Sequence, residues 1–160
     1  MTFRNILASM FAILSVTSMV STLTARAISP GSGHQQAPTP AASAPRSVLD
    51  GIYTEAQAKR GEPLYAQQCA SCHGQTLEGM DMAPGLTGSA FMSNWSGLTV
   101  GDLFERIRLT MPQDDPGHLT RQQDADVVAY LLSVSKYPPG KTELPLETEM
   151  LKQIRLEAAK

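Results

Sequence analysis

The tightest constraint on this chain is the run Cys69-Ala70-Ser71-Cys72-His73, which uses both cysteines among its 160 residues. Two thiols three positions apart, with an imidazole directly after them, admit few chemistries. A disulfide across so short a loop restrains little. A thioredoxin-like redox pair needs a surrounding βαβ pattern, which the flanking residues lack. A zinc centre needs a fourth ligand and usually a second pair of ligands. The spacing suits covalent attachment of a c-type haem. On about one helical turn the two sulfurs face the two vinyl groups of one ring edge and form thioethers, and the next His presents a ring nitrogen to iron. The expected cofactor is one haem c per chain, held by Cys69 and Cys72 with His73 as the proximal iron ligand.

The N-terminus has the layout of an export signal. Arg4 precedes an apolar run from Ile6 to Leu23, and Ala25-Arg26-Ala27 forms a small-x-small cleavage site. An uncleaved transmembrane anchor is the competing reading, but Ser or Thr fills six of the 18 positions of that run, and a spanning helix needs about 20 predominantly apolar residues. Residues 1–27 are therefore expected to be a signal peptide, placing the rest in the periplasm with no membrane insertion after cleavage, or tethered to the membrane if the signal stays. Residues 28–47 carry Pro30, Pro38, Pro40 and Pro45 among Ser, Ala, Gly and Gln, and read as a disordered linker. His34 within it is a solvated polar residue rather than a ligand. The folded domain is expected over 48–160.

After cleavage the chain keeps 11 basic and 15 acidic side chains, so no basic footprint points to nucleic acid. The same balance leaves no dense ring of lysines for docking to an acidic partner. Four Phe, four Tyr and one Trp are few for a self-sufficient core, and a buried porphyrin would supply the missing apolar volume.

Helical periodicity dominates. Thr54 to Gln57 forms a capping box opening a helix to about Gln68. Pro63 lies within this stretch and implies either a kink near Gly61 or a start nearer Glu62. A second helix is expected over Gly101–Thr110, with Thr99 and Asp102 at its start. A third runs from the Thr120–Gln123 capping box to about Ser135, and an amphipathic helix over Leu146–Leu156 follows. No strand pattern competes, so the expected fold is all-α. For the sixth iron position, Met80 and Met82 sit too soon after the attachment motif and Met150 belongs to the last helix. Met111, in Thr110-Met111-Pro112, is best placed because the proline ends the helix and sets the loop; Met92 and His118 are the alternatives.

The segment from about Gly51 to Leu144 resembles class I c-type cytochromes, particularly single-haem domains that serve as subunits or electron acceptors of bacterial periplasmic dehydrogenases. The resemblance rests on Arg60-Gly61-Glu62, Tyr65, Cys69 to Gly74, Ala83 to Gly88, Thr110-Met111-Pro112 and Val128 to Leu132. It implies three to five helices wrapped around one haem, the first and last crossing at Gly61, Tyr65, Tyr130 and Leu131. It further implies that the Pro84 carbonyl accepts the proximal imidazole N–H, that Leu86 lies against the ring, and that Trp95 stands near a propionate. Met111 would be the distal ligand.

The function these residues imply is single-electron transfer without substrate turnover, between a dehydrogenase or other redox donor and a respiratory acceptor. The alternatives are a dedicated cytochrome subunit of a larger oxidoreductase and a haem-based gas sensor. One CxxCH is too few for a cytochrome-type peroxidase.

Overall fold

The computed structural model describes residues 45–158 except Met82, all within one compact unit, Ala42–Lys160. The expected signal peptide, His34 and most of the expected linker lie outside the described residues.

Thr54 opens α1 (Glu55–Gln68) by accepting a hydrogen bond from the Gln57 amide at 3.1 Å. The reciprocal half of the capping box does not form, because the Gln57 side chain is buried and its Oε1 accepts the Leu144 amide at 2.8 Å. The helix begins at Glu55 and carries Pro63 inside it, so the start near Glu62 is not adopted. Lys59 and Pro63 both face solvent, where water can satisfy the Lys59 carbonyl that loses its helical donor. The chain then makes a single turn, α2 (Ala70–His73), and two longer helices, α3 (Gly88–Trp95) and α4 (Val100–Thr110). Of these, α4 has the Thr99–Asp102 capping box. α5 (Arg121–Val134) opens on the expected box between Thr120 and Gln123.

The fold is mostly helical, built on the crossing of α1 and α5, its most extensive helix contact. Ala58, Gly61 and Tyr65 form the buried face of α1. A Cβ on Gly61 would run into the Asp126 carbonyl and come within 2.9 Å of Tyr130 Cβ, so only glycine permits this approach. Beside it the Tyr65 and Tyr130 rings pack at 5.4 Å. Arg60 closes the edge of the crossing with a two-bonded contact to Asp126, 2.9 Å in each arm, and a second to Glu143. Replacing Arg60 by Met keeps the aliphatic stem but leaves Asp126, whose side chain is 5% exposed, with only the Gln122 amide. The expected loss is about 1–3 kcal/mol, read as a lower melting temperature; an unchanged one would mean that solvent replaces the guanidinium at no cost.

The C-terminal segment departs from the helix expected over Leu146–Leu156. Only α6 (Thr148–Leu151) is helical; Ile154–Arg155 is a strand, β2, paired in parallel with β1 (Arg46–Ser47). Ile154 and Leu156 are buried while Arg155 and Glu157 are exposed, a two-residue alternation that suits a strand. Its hydrogen-bond partners come from far along the chain: Leu156 N–H donates to Leu98 O, and Gly97 N–H donates to Leu156 O, both at 2.9 Å. Arg46 and Ser47, read as the end of the linker, belong to this ordered edge.

Candidate functional site

The cysteine pair lies where α1 breaks into α2. Cys69 caps α1, with its amide on Tyr65 O at 2.9 Å, and its own carbonyl accepts from Cys72 (3.1 Å) and His73 (2.9 Å). That turn puts both thiols and the imidazole on consecutive positions of a single coil. Both cysteines are free thiols, Cys69 half-buried and Cys72 exposed. Burial, with charge from Asp124 and Cys72, pushes the Cys69 thiol up to about 11.

The loop after His73 folds back on it. Gly74 and Gly79 take left-handed angles of 80° and 84°, which glycine adopts freely. Tyr65 Oη donates to Gly74 O at 2.7 Å, Gly79 N–H to His73 O at 2.8 Å, and Leu86 N–H to Leu77 O at 2.9 Å. Glu78 holds Thr76 through its amide (2.9 Å) and hydroxyl (2.6 Å). The result places Pro84 O 2.8 Å from His73 Nδ1. A carbonyl oxygen only accepts, so Nδ1 carries the proton, and in the neutral ring Nε2 keeps its lone pair for a metal.

Met111 caps the C-terminus of α4 at φ −128°, ψ 150°, the extended conformation favoured before a proline. It is half-buried against the core. The other sulfur candidates stand elsewhere: Met92 Sδ is 3.1 Å from Tyr137 Oη, Met80 and Met150 are exposed, and Met82 lies outside the described residues. His118 Nδ1 is 2.8 Å from Asp115 O. Leu86 is half-buried against the core, and Trp95, also half-buried, packs its ring on Phe91 at 6.4 Å. Among the described residues, no group of three or more His, Cys, Asp or Glu side chains could hold a metal ion. The donor set fits haem c: two free thiols and one imidazole on a single turn, with the imidazole oriented by Pro84.

Sequence reasoning passed over Asp124. It sits on the inward stripe of α5 with Val127, Val128 and Leu131, all buried, and a carboxylate at i before apolar residues at i+3, i+4 and i+7 was the available signal. Neither oxygen has a hydrogen-bond partner. Burial raises its pKa from 3.8 to about 6; Arg108, Arg121 and His118 pull it back and Glu105 adds to the rise. Because the folded state holds this proton more tightly, the stability is fully present below about pH 3.8 and is lost as pH rises through about 6. Ionised, the buried carboxylate costs about 3 kcal/mol. Urea unfolding should therefore find Asp124→Asn more stable than wild type at pH 8, with most of that gain gone at pH 4. An equal difference at both pH values would contradict the assignment.

Residues 56–131 match the family model described as cytochrome c oxidase, cbb3-type, subunit III. A solved structure similar to the chain is the sulfane dehydrogenase SoxCD from Paracoccus pantotrophus, at 22% identity and a TM-score of 0.45, covering 67% of this chain and 61% of that one. No curated protein sequence matches the chain.

Proposed function

Because this chain contains a class I c-type cytochrome domain, an electron-transfer module, we propose that the protein is a periplasmic single-electron carrier. Cys69 and Cys72 would hold one haem c through thioethers, with His73 and Met111 as iron ligands. Haem c supplies a one-electron iron couple. The Pro84 carbonyl keeps the His73 ring from rotating and raises its basicity as a ligand. The Met111 thioether favours the ferrous state and so raises the potential. Leu86 and Trp95 would belong to the surrounding apolar wall. The export signal is cut after Ala27 and residues 28–45 tether or space the domain. Its donor is a periplasmic dehydrogenase or comparable redox protein and its acceptor a respiratory one.

The observation that carries this reading is the 2.8 Å contact of His73 Nδ1 with Pro84 O beside two free thiols on the same turn. The test is a redox titration of the chain matured in a host that attaches haem c. A reversible one-electron transition with poor carbon monoxide binding by the ferrous form supports a carrier. Avid carbon monoxide binding would indicate an open site and favour the sensor alternative. A dedicated subunit of an oxidoreductase complex would co-purify with its dehydrogenase at fixed stoichiometry.

A further inference from the structure

Asp124 is fully buried and neither carboxylate oxygen is hydrogen-bonded. It lies on α5, the helix that crosses α1, and its charge helps raise the Cys69 thiol at the end of α1. The charged or titratable groups facing it are Arg108 and Glu105 from α4, Arg121 from α5, His118 from the loop before α5, and Cys69 from the end of α1. The groups that could pair with it are committed elsewhere. Arg108 holds Glu105 at 3.0 and 2.7 Å, Arg121 donates to Thr148 at 2.9 Å, and His118 Nδ1 is 2.8 Å from Asp115 O. Once Cys69 is a thioether it no longer titrates.

We propose that Asp124 is a redox-linked proton site, taking up one proton from solvent when the centre anchored on Cys69 is reduced and releasing it on oxidation. The inference rests on the haem reading above. A one-electron donor reduces Fe(III) to Fe(II), and the proton forms one O–H bond on an Asp124 oxygen; oxidation reverses both. The physical reason is mutual. An ionised carboxylate stabilises the more positive ferric centre, so losing one positive charge raises the proton affinity of Asp124. By linkage, protonating Asp124 makes the centre easier to reduce. Poor screening in the interior makes this coupling strong. Burial has already moved the carboxyl up to about 6, within reach of a physiological swing.

The test is the midpoint potential of the haem-bearing full chain, measured spectroelectrochemically between roughly pH 4 and 8. In wild type the potential should fall as pH rises through the Asp124 window and level off on both sides. Asp124→Asn should lose that fall. His118→Gln, which removes the imidazole facing Asp124, should keep it. A fall that persists in Asp124→Asn, or vanishes in His118→Gln, overturns the assignment. Should Asp124→Asn fail to assemble, reduced-minus-oxidised infrared spectra of wild type with ¹³C-labelled aspartate decide the matter. An isotope-shifted protonated-carboxyl band gained on reduction supports the proposal, and its absence overturns it. A haem-bearing chain with a pH-independent potential overturns this inference alone, whereas a chain that acquires no haem overturns both readings.

Discussion

Replacing Met111 by alanine is expected to abolish the weak sulfur-to-iron absorption band of the ferric protein, lower the midpoint potential, and convert poor carbon monoxide binding into avid binding. The three effects share one cause. A thioether ligand favours the ferrous state, and its removal would leave an open position on the iron. Neighbouring sulfurs offer little rescue: Met92 is engaged with Tyr137, and Met80 and Met150 face solvent. Met111→His separates the effects, because a second imidazole would restore six-coordination and keep carbon monoxide out while leaving the potential low. Persistence of the band in Met111→Ala would move the ligand to another residue.

Gly61→Ala lowers the melting temperature by roughly 5–15 °C. Two effects of opposite sign meet here. Alanine is the better helix former by about 1 kcal/mol, but its methyl would collide with the Asp126 carbonyl and press on Tyr130 Cβ, 2.9 Å away. The carbonyl is backbone and cannot rotate aside, so α5 must retreat along the length of the crossing and loosen the Tyr65–Tyr130 contact. Overpacking of this kind costs about 1–3 kcal/mol and more where backbone must move, and each kcal/mol shifts a domain of this size by about 4–8 °C. Steric exclusion wins. Calorimetry of the haem-loaded protein measures it, and a melting temperature at or above that of wild type would show that the crossing is not tight at Gly61.

The parts of this fold legible in the sequence are those set by local chemistry. The α4 start, with Thr99 and Asp102, and the α5 start, with Thr120 and Gln123, each hold their cap within four residues, and the attachment turn is written in five consecutive residues. What was misread depends on distant partners. Gln57 leaves its capping role because Leu144 offers a buried amide. The 146–156 stretch has apolar spacing compatible with a helix, yet Arg46, Ser47, Gly97 and Leu98 supply the hydrogen bonds that make its end a strand. The short helix α3 went unforeseen because its buried side chain, Phe91, is set among residues that face solvent. At the site, the chemistry-bearing residues were visible by type. The orientation of His73 depends on the backbone of the 74–86 loop, whose left-handed Gly74, Leu77 and Gly79 bring Pro84 back. Asp124 escaped notice because an acidic residue near a helix start reads as an ordinary dipole-favouring charge, and only burial reveals it as costly.

The most direct test of the whole account is the intact mass of the chain after expression in a host that attaches haem c. The account predicts a chain beginning at Ile28 and carrying one covalently bound haem, with the haem lost in Cys69→Ala/Cys72→Ala. That double variant should also show weak helical circular dichroism and no cooperative melt. A wild-type chain whose two thiols stay unmodified, or a double variant that remains fully helical and melts cooperatively without haem, would contradict it.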